Sequence, residues 1–147
     1  IERARAEGGT VLCGGEALTV PGRCAEGWFV APTWIEGLES DSDTNQQEIF
    51  GPVATLQPFD DEAHALELAN DSAYGLAAVV WSGDGSRCHR LAARLETGIV
   101  WVNCWMRRDL RTPFGGMKTS GLGREGGWEA LRFFTEPRNV CIDYGPS

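Results

Sequence analysis

Residues 76–102 read LAAVVWSGDGSRCHRLAARLETGIVWV, and this stretch decides the fold. Leu76 to Trp81 is a short, continuous apolar run, the pattern of a strand covered on both faces. Ser86 is placed to cap a helix. On that helix Cys88, Leu91, Ala92 and Leu95 share one face at i, i+3, i+4 and i+7. Ile99 to Val102 (IVWV) is a second strand of the same buried kind. A strand, a helix and a strand of these lengths imply parallel strands joined by a crossover helix.

The pattern extends upstream. Val53 to Phe59 (VATLQPF) reads as a strand, and Asp60 can cap a helix over Glu62 to Ala69 that ends at Asn70-Asp71. Five alternating elements over about fifty residues predict a parallel α/β unit. Further back, WFVAPTWI (Trp28 to Ile35) is aromatic and β-branched, but Pro32 makes it an edge or broken strand. Thr10 to Cys13 is a short apolar stretch, and Ile1 to Glu7 reads as the end of a helix stopped by Gly8-Gly9. Glu36 to Gln47 is an acidic loop with one helical turn. Downstream, Asn103 to Leu122 has no period and is rich in Gly, Arg and Ser. It follows a buried strand, where open α/β sheets place their ligands. Arg124 to Thr135 reads as a helix with Trp128, Leu131 and Phe133 or Phe134 on its apolar face, and Asn139 to Tyr144 (NVCIDY) as a terminal strand.

The chain has 147 residues, 42% apolar and 23% charged, with net charge −8, which suits an ordinary globular domain. With no basic stripe, a nucleic-acid backbone is an unfavourable partner. No apolar run approaches the roughly 20 residues of a membrane span. The N-terminal IERARAEGG has no apolar signal core. The five cysteines (Cys13, Cys24, Cys88, Cys104, Cys141) are odd in number, irregularly spaced and without C-x-x-C. That predicts reduced thiols in a cytoplasmic setting, with neither a disulfide framework nor a metal site. Cys88 and His89 are adjacent, and helix neighbours point different ways, so they do not form a nucleophile–base pair. The chain opens with Ile inside a helix, which reads as one part of a longer protein.

Gly121 to Gly126 (GLGREG) fits the dinucleotide pattern G-x-G-x-x-G, and Asp143 stands about twenty residues on. A true fingerprint follows a buried strand and opens a βαβ unit. GGMKTS cannot be such a strand, and too little chain follows. The glycines are therefore expected to serve close packing in a loop.

Three stretches together, QEIFGPV (Gln47 to Val53), GIVWVN (Gly98 to Asn103) and PFGGMKTSGLGREGG (Pro113 to Gly127), resemble the aldehyde dehydrogenase superfamily, in order and spacing. The resemblance covers essentially the whole chain and is to the C-terminal third of such enzymes. It implies a partial three-layer α/β catalytic domain with a parallel sheet over residues 1–134, and a C-terminal β-arm for oligomerisation over residues 135–147. It also implies oxidation of a small-molecule aldehyde to an acid with NAD (or NADP), in a homodimer or homotetramer. The nucleophilic cysteine, the general-base glutamate and the Rossmann domain would lie upstream, and none of the five cysteines here has the nucleophile's context. The 147 residues alone are thus expected to be inactive.

Residue by residue, the resemblance gives Glu48 the hydroxyls of the nicotinamide ribose, a task that suits a carboxylate because it accepts twice. Gln47 stands where the family usually has a first Glu. Phe50 would pack near the nicotinamide ring. Glu125 would relay protons at the rear of the catalytic tunnel, and Phe114 would line that tunnel. Arg124 and Glu136 would pair to tie the loop to the terminal arm. The specificity segment, Trp105 to Thr112, carries three arginines. Arginine forks hold carboxylates in a bidentate way, so an aldehyde with a carboxylate at its far end is expected, with Arg108 as anchor and Arg111 as second choice. The competing expectation is salt bridges to Asp109 or a neighbouring subunit. NCW followed by RDLRTPFGGMK resembles the muconic semialdehyde dehydrogenases of that family. A broader-range enzyme, of the betaine aldehyde type, and a non-catalytic oligomerisation module are the alternatives.

Overall fold

A computed structural model describes residues 1–146. The chain is mixed α/β and divides into two compact units, the first Ile1–Ser72 and the second starting at Ala73.

In the first unit, helix α1 (Glu2–Ala6) leads into β1 (Thr10–Cys13), the short hairpin β2 (Ala17–Leu18) and β3 (Phe29–Val30), and β4 (Thr33–Glu36). Helix α2 (Asp43–Gln46), β5 (Val53–Leu56) and α3 (Glu62–Asn70) follow. The main sheet has the order β1-β4-β5, with β4 antiparallel to β1 and parallel to β5. The reading of WFVAPTWI as a broken strand holds: Ala31-Pro32 interrupt it between β3 and β4. Pro32 precedes β4 rather than lying within it, so β4 keeps every donor and becomes the central strand. Its residues alternate: Thr33 and Ile35 are buried, Trp34 and Glu36 exposed. Ile35, Ala4 and Leu38 form the core, with Val11 and Val53 packed against them. The buried Thr33 hydroxyl donates to Ala31 O (2.7 Å) and accepts from Gly15 N (2.9 Å), so it stands in the interior fully satisfied. Helix α3 is capped by Asp61, whose side chain accepts from His64 N, and not by Asp60.

In the second unit, β6 (Tyr74–Gly75) pairs antiparallel with β9 (Met117–Lys118). β7 (Ala77–Val80) and β8 (Ile99–Val102) pair in parallel, Ala77 opposite Ile99 through Val80 opposite Val102. Helix α4 (Gly85–Ala92) joins them and packs on both. The strand–helix–strand read from residues 76–102 is therefore present. Asp84, not Ser86, is the cap: it sits extended and accepts from Arg87 N at 3.1 Å. That bond, ahead of the nearby guanidinium charges, holds the Asp84 carboxyl below its ordinary value. The five-element unit expected from Val53 onward is not one sheet, because β5 pairs with β4 and β7 with β8. Helix α5 (Gly127–Phe134) is shorter than read and begins three residues later. NVCIDY forms no strand, since a strand requires a ladder partner and none stands beside it among the described residues.

No helix among the described residues is long and apolar enough to cross a membrane. No group of three or more His, Cys, Asp or Glu among them is arranged to hold a metal ion.

Candidate functional site

The second unit builds a site from the loop that follows β8. Asn103 ends the strand in the left-handed region (φ 51°). Its side chain clamps Ser82, accepting from Ser82 N and donating to Ser82 O, each at 2.9 Å. The two parallel strands thus finish at a fixed corner. Trp101, buried on β8, donates its indole N–H to Arg107 O at 2.7 Å and meets Trp105 edge-on at 5.1 Å. The far end of the arginine loop rests on Gly126 and Gly127, both at positive φ (85° and 50°). A Cβ on either would strike the carbonyl oxygens of Thr112 or Arg111, and Gly127 N donates to Leu110 O at 3.0 Å. These glycines of the GLGREGG stretch therefore permit a close backbone approach.

Phe114 and Glu125 form an antiparallel bridge, N to O at 2.7 and 2.8 Å. Above it lies a cavity of ≈ 440 Å³ whose walls include Phe114, Ser120, Leu122, Glu125, Phe133 and Phe134. Three residues that the sequence singled out meet at its edge. The Arg108 guanidinium donates through Nη2 to Glu125 Oε1 and lies 4.3 Å over the centre of the Phe114 ring, a cation–π contact. Arg111 is placed differently. Its Nε and Nη2 grip Asp109 in a fork, at 2.6 Å for the closest pair, and Asp109 also accepts from Arg111 N at 2.9 Å. The Arg111 guanidinium, and after it the Arg111 N–H, hold the Asp109 carboxyl below the usual carboxylate range, and Arg111 is raised in return. The salt-bridge expectation thus holds for Arg111, whose fork is filled from within the loop. Arg108 is the guanidinium set beside the cavity wall.

Arg124 and Glu136 are not brought together. Arg124 spends Nη1 on the carbonyls of Gly116 (2.8 Å) and Gly123 (2.7 Å), bracing the glycine loop on itself. The Arg108–Glu125 pair was not legible beforehand. Its members are 17 positions apart on irregular chain, where no periodicity aligns side chains. Leu122 and Ser120 also join the cavity unannounced by any sequence signal.

The first unit holds the other group of candidates. Glu48 and Phe50 lie on the loop after α2, beside a shallow concavity of ≈ 350 Å³ with Thr44, Asn45 and Gln47. Phe50 is 90% exposed and held at φ 56°. Glu48 is exposed and makes no ion pair or side-chain hydrogen bond among the described residues. The Asn45 Oδ1 atom, also on this concavity, is buried without a partner. The unpaired Glu48 carboxylate leaves this loop with hydrogen-bonding capacity at its surface, beside the open face of the Phe50 ring.

The chain belongs to the aldehyde dehydrogenase family, whose sequence description matches residues 1–140. Among its relatives, the 2-hydroxymuconic semialdehyde dehydrogenase of Pseudomonas sp. (strain CF600) is 50% identical over 141 residues, 96% of this chain and 29% of that protein. The human 2-aminomuconic semialdehyde dehydrogenase is 45% identical over 146 residues, 98% of this chain and 30% of that protein. The NAD+ complex of an aldehyde dehydrogenase from Bacillus cereus superposes with a TM-score of 0.89 at 40% identity, covering 98% of this chain and 28% of that one. The chain spans about 30% of the length of the curated relatives it matches.

Proposed function

We propose that this chain supplies the substrate-selecting and part of the cofactor-contacting surface of an NAD-dependent aldehyde dehydrogenase that oxidises a carboxylated, muconic-type semialdehyde to the acid. The observation that carries the substrate is Arg108. A guanidinium stacked on Phe114 at the edge of the cavity already holds one carboxylate, that of Glu125. Its Nε and Nη1 have no partner among the described residues, so donors remain for a second carboxylate. The names of the relatives point to the same substrate class.

The Glu48 loop fits the cofactor. Its carboxylate is free to accept from two vicinal hydroxyls, and the exposed Phe50 ring offers a face for an aromatic group. NAD, when bound, supplies the hydride acceptor. Glu125 would hold or pass a proton beside the cavity, and NVCIDY would serve as an arm that pairs with another subunit. By resemblance the attacking thiolate and the base come from residues outside these 147.

The test is turnover of the full-length protein on 2-hydroxymuconate semialdehyde and on hexanal. Arg108→Ala should raise KM for the semialdehyde at least tenfold and leave that for hexanal unchanged, the pattern of a lost ground-state contact to one substrate. Equal effects on both aldehydes would remove the carboxylate argument.

A further inference from the structure

We propose that Glu125 is a placeholder on Arg108: a specificity-determining residue whose carboxylate occupies the guanidinium until an acid-bearing ligand displaces it. This rests on the reading of Arg108 as the carboxylate anchor. Three observations lead there. First, Glu125 is the one acidic side chain on Arg108 among the described residues, and it makes a single contact through Nη2. Second, both side chains are well exposed, 46% for Arg108 and 62% for Glu125, so their pair is screened and weak. A carboxylate using two parallel donors can outcompete a carboxylate that uses one. Third, the guanidinium does not depend on Glu125 to stay in place. The Phe114 ring lies 4.3 Å from it, and the Phe114 main chain is pinned by the backbone bridge to Glu125, which does not use the Glu125 side chain. When the Glu125 side chain swings away, the bridge and the ring remain, and so does Arg108.

The pair therefore works as a filter. A neutral alkyl aldehyde cannot replace Glu125, and meets an ion pair it does not disturb. A ligand with a distal carboxylate exchanges one carboxylate for another on the same cation, so the charge on Arg108 stays compensated throughout. The cost of the exchange is the weak pair alone, which lowers affinity for acid-bearing ligands by roughly two- to fivefold.

The experiment measures calorimetric affinity of the NAD-saturated, full-length protein for cis,cis-muconate, with the neutral sorbamide as control. It compares the parent protein with Glu125→Gln, Glu125→Ala and Arg108→Ala, and so does not depend on turnover. Both Glu125 variants should bind muconate about two- to fivefold more tightly, with sorbamide unchanged. Arg108→Ala should weaken muconate at least tenfold. If Arg108→Ala weakens muconate while neither Glu125 variant tightens it, the placeholder is refuted and the anchor stands. If Arg108→Ala has no effect on muconate, the anchor reading fails first, and the placeholder with it.

Discussion

Gly98 sits where β8 begins, and Gly98→Ala is the most informative single change in the second unit. Its N–H donates to Gly75 O at 3.0 Å, tying the strand start to β6. A Cβ there would run into the Gly115 carbonyl oxygen, 2.7 Å from its carbon and 3.2 Å from Gly116 Cα. Every atom it meets is main chain, so no rotamer change relieves the clash. Either β8 or the Phe114–Gly116 segment must move. Overpacking of this kind costs about 1–3 kcal/mol, and in a chain of this size each kcal/mol lowers the melting temperature by about 2–4 °C. The shift also reaches the site, because Gly115 and Gly116 line the cavity next to the ring that carries Arg108. Thermal melting followed by circular dichroism, alongside muconate affinity, reads both consequences. Gly85→Ala is the matched control: nothing lies within 4 Å of its Cβ, and it opens α4. It should be neutral or stabilising by about 0.5–1 kcal/mol. A Gly98→Ala protein that melts with the parent and binds muconate equally would refute the close-approach argument.

Ile35→Ala should cost about 3 kcal/mol in urea unfolding, since Ile35 is fully buried against Ala4 and Leu38; a loss under 1 kcal/mol would mean that the small core collapses around the gap. Asp61→Ala removes the α3 cap on His64 N and should cost about 1 kcal/mol, whereas Asp60→Ala should cost much less; equal losses would undo the assignment of the cap. Because the Asp84 carboxyl is lowered in the folded chain, its contribution is present above the ordinary carboxylate range and is lost as pH falls through the depressed value. Asp84→Asn, which caps without titrating, should flatten the acid limb of the stability profile; an unchanged limb would show that this carboxyl contributes nothing there.

What could be read from sequence follows from what is local. β7, α4 and β8 were legible because unbroken apolar runs and a 3.6-residue stripe are properties of neighbours in the chain. The caps slipped by one or two residues, Asp61 for Asp60 and Asp84 for Ser86. Several capping side chains stand in a row at each helix start, and the backbone selects whichever is extended. Pro32 breaks WFVAPTWI into β3 and β4 as its missing donor implies, but that β4 becomes a central strand is not encoded in one dimension. The same is true of NVCIDY, whose composition suits a strand but whose pairing is not encoded in its own six residues. At the site, motif resemblance brought Glu48, Phe50, Phe114 and Glu125 into view. The meeting of Arg108, Glu125 and Phe114 arises from a loop folded over a backbone bridge, and only coordinates in three dimensions show it.

The hold of Trp101 on the arginine loop has one more consequence. The indole grips a main-chain carbonyl, that of Arg107, and not a side chain. The glycine seat at the other end likewise receives the carbonyls of Leu110, Arg111 and Thr112. Between these two fixings, and with the Asp109 side chain still accepting from Arg111 N, the side chains at 108, 110 and 111 can be exchanged while the path of the loop is retained. The segment is thus a mount with replaceable fittings, on which a new substrate preference could arise by one or two substitutions without re-engineering the strand beneath it.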